Sequence, residues 1–339
     1  MNNLGFHVGS FLVTTASGHG VSVADFMSTN QTKDTMTAMF KHFLSKNPRA
    51  QGKIRSFVID KDYHEWAVLQ EVFPAAKVLL CQFHVVKWFK KVILDAKYNI
   101  SAALRPDVLT RLRAMIYART DREFAREQAL LADLLAAPQH QSFCRYLEER
   151  WYNCVPMWAD CRRKKVFDAT NTTSNRLEST WKQEKDGLGD NRRIDSCLEA
   201  IFTYAGTVLQ REKDVLVDYK TSTQLHPTCD NYIRPMLTDL SEYAADKVIS
   251  EWNAFASAAP SSYSYSVVGK SRYSVLVDGD REPEVEVDTD VWSCSCNTFS
   301  STELPCRHLF FAAAVVERKL VYPAGSIFKR WRLSAALDL

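Results

Sequence analysis

Long hydrophobic runs are missing from this chain of 339 residues. Its longest plain apolar stretch, Leu309–Val316, falls far short of the about 20 residues that a membrane-spanning helix requires. A basic leader is missing too. The opening MNNLGFHVGSFLV has no cationic n-region, and His7 and Gly9 break its apolar residues, so it does not read as a signal peptide. Bulk charge is small, at a formal +3, so any nucleic-acid surface has to come from local patches. Even pairing of cysteines is absent. There are nine, and six stand singly along the chain. Without a secretory signal, that pattern argues against a disulfide framework and for a reducing compartment with free thiols or metal ligands. No internal repeat is visible. The chain reads as neither secreted nor membrane-embedded.

What is present fits a globular protein. Hydrophobic residues make up 46% and charged residues 24%, ordinary proportions for a folded domain. The length suffices for two domains and a sizeable core. Gly5–Ala16 and Val21–Met27 read as strands around Gly18-His19-Gly20, which predicts a hairpin. Met36, Met39, Phe40 and Phe43 recur at helical spacing within Thr32–Lys46, and Asn47, Pro48 and Gly52 close that helix. Ile54–Ile59 is a short apolar strand. The next helix carries Trp66, Leu69, Val72 and Phe73 on one face and stops at Pro74; Lys77–Cys81 is a second buried strand. A hairpin followed by strand, helix and strand predicts a mixed sheet flanked by helices.

From Val85 to about Arg163 the pattern is helical. One apolar stripe runs through Leu104, Val108, Leu109, Leu112, Met115 and Ile116, another through Phe124, Leu130, Leu131, Leu134 and Leu135. The loop Asp168–Asn175 leads to a helix from Arg176, and further helices are expected over Ile194–Asp218 and Thr238–Asn253. Ala254–Ser266, small, polar and Pro-containing, reads as a linker. Two strands follow, Tyr273–Asp278 and Glu284–Asp288, turning at Asp278-Gly279-Asp280, and then a helix over Leu309–Lys319.

Cys294, Cys296, Cys306 and His308 have the spacing C-x-C-x9-C-x-H. Residues two apart on an extended segment point the same way, so the first pair grips an ion from one side and the second pair closes the tetrahedron. Three thiolates and an imidazole with no open position specify structural zinc. The other reading of these residues is buried thiols and a surface histidine. The pattern, with the strand pair before it and the apolar helix after it, resembles the SWIM zinc finger over Tyr273–Glu317. That resemblance implies a ββα zinc-binding unit that contacts DNA or protein. A unit this small has little core, so the metal supplies folding energy.

Ile59-Asp60-Lys61-Asp62 lies between a strand and a helix. Asp62 has a local task as N-cap, with Glu65 completing a capping box. Asp60 has none, and a carboxylate at the end of a buried strand is placed to hold metal. Two-metal phosphoryl transfer uses such clustered acids. Cys81 and His84 form half a metal site, or a packed thiol beside an ordering histidine.

The segment IDKDYHEWAVLQEVFPAAKVLLCQFHVVK resembles the core of Mutator-like element transposases, and NNLGFHVGSFLVTTASGHGVSVADFM resembles the hairpin strands of the same fold. The stretch Asn171–Lys182, NTTSNRLESTWK, resembles the part that brings the family's glutamate. The resemblance covers about Asn2–Gln210. It implies an α/β RNase H-like core with a large helical insertion, and a DDE site in which Asp60 is the second acid and Glu178 the third. The family's first aspartate lies on the strand before the segment matched to Asn2-Asn3, and no Asp precedes Asp25. The expectation is therefore an incomplete triad and a sheet without its first, central strand. Glu178 also has a local explanation, as the N3 partner of an Asn175 cap.

The expected organisation is an RNase H-like core over 1–94, a helical insertion over 95–168, a helical remainder carrying Glu178 over 169–253, a linker over 254–266, a SWIM-type finger over 267–320 and a basic-aromatic tail over 321–339. Basic groups occur at Lys87, Lys90 and Lys91 beside Trp88, at Arg162–Lys165, at Arg192-Arg193, and at Lys329, Arg330 and Arg332. Each reads as a phosphate-contacting patch or as a solvated face, and Arg162–Lys165 also as a nuclear-import signal. Three functions are open: a zinc-containing, transposase-derived DNA-binding protein with catalysis lost or incomplete in this chain, an active transposase using Mg2+ or Mn2+ if its site is completed upstream, and a protein-interaction adaptor working through the finger. The expected location is the nucleus, or alternatively the cytoplasm.

Overall fold

In the computed structural model of the chain, residues 5–174, 179, 182, 193–221, 230–278 and 284–336 are described. They fall into two units, one built from the described residues within 1–46, 175–279 and 284–339, the other from those within 47–174.

The expected hairpin forms from β1 (His7–Thr14) and β2 (Gly20–Ser28), paired antiparallel with a register shift between Phe11 and Leu12. Helix α1 (Lys33–Lys46) covers it. Phe11 of β1 meets Phe40 and Phe43 of α1 at ring separations of 4.7 and 5.0 Å, so the helical spacing read from the sequence is the packing face. Gly18, in the turn, has φ +83, and a Cβ there would lie 2.5 Å from the ring of Tyr243.

The second unit begins with β3 (Ser56–Ile59), α2 (Tyr63–Val72) and β4 (Lys77–Leu80). The strands pair parallel, Ser56 opposite Lys77 through Ile59 opposite Leu80. Among the described residues, the antiparallel and parallel pairings expected of a mixed sheet are made in two separate two-stranded sheets. Asp62 caps α2 as expected, accepting from the His64 and Glu65 amides. After β4 come α3 (Gln82–Val92), α4 (Arg105–Ile116), α5 (Asp121–Leu134), α6 (Gln141–Arg150) and two single turns, α7 (Val155–Trp158) and α8 (Asp160–Arg163). Val108, Leu112, Met115 and Ile116 of α4 and Phe124, Leu131 and Leu135 around α5 are buried, whereas Leu130 is 39% exposed. Adjacent helical residues are turned about 100° apart, so only one of Leu130 and Leu131 can face the core. The centre of the unit is aromatic. Phe89 packs on Trp151 at 4.3 Å, and Trp158 lies edge-on to Trp151 at 6.0 Å.

The first unit resumes with α9 (Ile194–Thr221), α10 (Arg234–Leu237) and α11 (Glu242–Ala256). The last begins four residues later than the expected Thr238, because Ser241 caps it by accepting from the Ala244 amide at 3.2 Å. Then comes an antiparallel sheet in the order β5 (Tyr263–Gly269), β6 (Arg272–Val277), β7 (Val285–Asp288) and β8 (Ser293–Cys294). It holds the two expected strands and two more. The segment 254–266, expected as a linker, contains the end of α11, a 3-10 turn at Pro260–Ser262 and the start of β5. The alternation Tyr-Ser-Tyr-Ser-Val is a period-two strand signal, and the density of Ser and Pro around it had suggested a linker. The chain closes with α12 (Asn297–Thr302), α13 (Arg307–Phe311) running into a π-helical turn at Ala312–Val316, and α14 (Leu333–Ala336).

Candidate metal centres

The carboxy-terminal sheet delivers four donor side chains to one point. Cys294 ends β8, opposite Val287 of β7. Cys296 N-caps α12, its Sγ accepting from the Phe299 amide at 3.4 Å. Cys306 is the N-cap residue of α13, and His308 sits in that helix's first turn. All four are buried, and their ligand atoms lie within 4.8 Å of one another. Cys294 Sγ and His308 Nδ1 are 3.9 Å apart. Zn–S and Zn–N bonds of about 2.3 and 2.0 Å place tetrahedral donors roughly 3.3–3.8 Å apart, so the set fits zinc with little adjustment. Burial pushes the Cys294 and Cys306 thiols well above the usual range. A zinc ion offsets that by binding the thiolates. With every donor below the surface the site is closed, as a structural centre requires.

A second convergence lies in the other unit, at the carboxy-terminal ends of the parallel strands, the edge where such sheets present ligand groups. Asp60 follows β3. Cys81 follows β4 at the N-cap position of α3; His84 is in the first turn of α3. Asp60 Oδ1 lies 2.8 Å from His84 Nδ1, and His84 Nδ1 is 3.2 Å from Cys81 Sγ. Ser174 joins them. Its hydroxyl is 3.2 Å from Asp60 Oδ1, 3.3 Å from Cys81 Sγ and 3.2 Å from His84 Nδ1, and its amide donates to Cys81 Sγ at 3.2 Å.

Arg163 holds this arrangement together. It is fully buried and donates to the Leu80 carbonyl at 2.7 Å and the Asn171 carbonyl at 3.1 Å, with Asp168 at 3.7 Å. The Gln82 amide adds a bond to the Thr172 carbonyl at 2.9 Å. The end of β4 is thus tied to the segment carrying Ser174. Burial pushes the Asp168 carboxyl up to about 6, against the pull of Arg163. Next to Asp60, half-buried Glu65 is pushed up to about 7 by burial and by the charges of Asp62 and Asp60. Lys61, over the Trp151 ring at 3.2 Å and bonded to the Arg150 carbonyl at 2.8 Å, is lowered by burial to about 8.

Comparison with known families assigns the carboxy-terminal centre. Residues 273–317 match the family model of the SWIM zinc finger. The chain carries a SWIM zinc finger. Residues 1–79 match the model described as the RNaseH-like domain of zinc finger SWIM domain-containing protein 1/3, which spans the hairpin, α1, β3, α2 and the start of β4.

The SWIM finger does not stand apart from its unit. Glu251 on α11 accepts from the Arg307 amide at 3.0 Å and from its guanidinium at 3.1 and 3.2 Å, which fixes the residue between the ligands Cys306 and His308. Trp252 meets Phe310 edge-on at 5.3 Å, and Tyr263 of β5 stacks on Phe311 at 4.6 Å. From the expected tail, Trp331 is fully buried and donates to the Thr302 carbonyl at 2.6 Å. Thr302 lies on the connection between Cys296 and Cys306. The small finger gains its core from these neighbours.

Of the expected acids, Asp60 lies in the Cys81–His84 cluster, and Glu178 falls outside the described residues. Asp25, on β2, is exposed and accepts from Ser22 Oγ at 2.8 Å. The basic groups divide. Arg162 pairs with Asp121, Lys164 with Asp160 and Arg332 with Asp239, Arg330 bonds the Thr14 carbonyl, and Arg163 is internal. Lys87, Lys90 and Lys91 of α3 are exposed. Sequence reasoning missed Ser174, Glu251, Trp331 and the internal role of Arg163. Ser174 is 114 positions from Asp60, and no local spacing signals that meeting. Among the described residues, no helix is long and apolar enough to cross a membrane.

Proposed function

We propose that this chain is a zinc-containing protein derived from a Mutator-like transposase, which binds duplex DNA in the nucleus without cutting it. The observation that carries the reading is the exposed face of α3. Lys87, Lys90 and Lys91 recur there at helical spacing beside exposed Phe83, a basic stripe suited to a phosphate backbone. The loss of cutting is supported by Asp60, whose carboxylate is bound to His84 and Ser174. Among the described residues, its metal-holding group contains a thiol and an imidazole and no further carboxylate, unlike the clustered acids of a two-metal centre.

The test is duplex binding by fluorescence anisotropy across a salt series. Replacing the three lysines by alanine is expected to lower the slope of log affinity against log salt by about 2.7, at roughly 0.9 per phosphate contact. A wild-type chain with no affinity at low salt removes the DNA reading and leaves a zinc-dependent adaptor. Nicking of supercoiled plasmid with Mg2+ or Mn2+ that Asp60→Asn abolishes would establish an active transposase instead.

A further inference from the structure

We infer that Asp60, Cys81 and His84 form a second metal site, taking one divalent ion of the zinc class, with the Ser174 hydroxyl at the fourth vertex. This is independent of whether the chain binds DNA.

The argument begins with donor geometry. Bonds of about 2.0–2.3 Å to a tetrahedral ion separate the donors by roughly 3.3–3.8 Å. Here Ser174 Oγ stands at 3.2, 3.3 and 3.2 Å from Asp60 Oδ1, Cys81 Sγ and His84 Nδ1. The remaining short edges are 2.8 Å from Asp60 to His84 and 3.2 Å from His84 to Cys81. Five of the six edges of a tetrahedron are thus within about half an ångström of the ideal length, and the sixth, Asp60 to Cys81, is within 4.8 Å. Four donors from three separate segments converge here: Asp60 from the end of β3, Cys81 and His84 from the start of α3, and Ser174 from the loop before residue 175. One internal guanidinium binds two of those segments together, the kind of outer support that holds ligands in place.

The donor set selects the ion. A thiolate with an imidazole and one carboxylate suits zinc or a similar borderline metal, whereas Mg2+ and Ca2+ seek oxygen. Cys81 is fully buried at the amino end of α3. Its sulfur accepts from the Ser174 amide at 3.2 Å and from the Ser174 hydroxyl at 3.3 Å, which aims it at the point where the other donors meet. Asp60 is the open side, its side chain 55% exposed against 23% for His84. An ion can therefore enter past Asp60, and water can exchange with the weakly ligating Ser174 hydroxyl. The finger is closed; this second site has one labile position. On binding, the Cys81 proton leaves to solvent and the metal–sulfur bond forms.

The test is zinc stoichiometry of the full chain after saturation and removal of excess ion. Wild type is expected to hold about two zinc ions, and Asp60→Asn and His84→Gln about one each, with the finger intact. The zinc left in each variant, together with unchanged circular dichroism, shows that the variant has folded. Cobalt substitution of wild type needs no variant. A second cobalt equivalent is expected to add a thiolate charge-transfer band about one third as strong as that of the three-cysteine finger. A wild-type chain that saturates at one zinc, or an His84→Gln chain that keeps two, overturns the inference.

Discussion

Replacing Trp331 by alanine should release the zinc finger, although the residue lies outside its sequence motif. The indole is fully buried and packs beside Tyr243 at 6.1 Å. Removing such a ring from a core costs about 3–5 kcal/mol. Its Nε1 also donates to the Thr302 carbonyl at 2.6 Å, and leaving that acceptor without its partner adds about 1–2 kcal/mol. Together the loss is about 4–7 kcal/mol. Trp331→Phe keeps most of the ring and isolates the hydrogen bond, so it should cost only about 1–2 kcal/mol. Zinc release followed with a chromogenic chelator during urea titration reads the finger directly, which matters in a chain of two units where one global transition need not occur. With a urea slope of about 2–3 kcal/mol/M, the alanine variant should release zinc roughly 2 M earlier. An unchanged midpoint, or a chain ending at residue 320 that holds zinc as firmly as the full one, would refute the reasoning.

Gly18→Ala should destabilise the first unit by about 2–4 kcal/mol, combining a left-handed backbone with overpacking, because the new methyl would meet the Tyr243 ring at 2.5 Å; thermal unfolding checks it. Arg163→Lys should cost about 2–4 kcal/mol, since an ammonium cannot reproduce the planar fork across two carbonyls, and hydrogen exchange at Thr170–Ser174 should rise; unchanged protection there would count against Arg163 as the organiser of that loop. Lys61 falls from an ordinary 10.5 to about 8 through burial. The folded state therefore loses this proton first, and stability should rise with pH from about 8 to 10.5. Solvent screening of the partly exposed ammonium limits the gain to about 1–2 kcal/mol. Lys61→Met should abolish the rise, and a rise that persists in urea titrations across that range would assign it to another group.

The sequence was most readable where the physics is local. The Asp62 cap, the Phe40–Phe43 face and the paired spacing of Cys294, Cys296, Cys306 and His308 each depend on residues a few positions apart. Tertiary pairing was not readable. Arg163 sits in a basic run that looks like a solvated face, and only the closeness of the Leu80 and Asn171 carbonyls turns it inward. Ser174 reads as one more polar loop residue until the fold brings it to Asp60. Trp331, among Lys329, Arg330 and Arg332, shares a segment with charges that suggested a nucleic-acid tail. In the structure Arg330 and Arg332 bond the hairpin and Asp239. The strand β5 was hidden because its alternating residues are serines and tyrosines, whose turn and strand preferences conflict.

The clamp of Glu251 on Arg307 has a consequence for inheritance. Zinc fingers are often moved between proteins as portable cassettes, by recombination or by design. This one obtains the alignment of Cys306 and His308 from a helix upstream of its motif and its floor from an indole downstream of it. A transplant limited to residues 273–317 would carry the ligands and leave their scaffold behind. The smallest inheritable piece reaches from α11 through Trp331, so an exchange that preserves function has to move that whole span in one step.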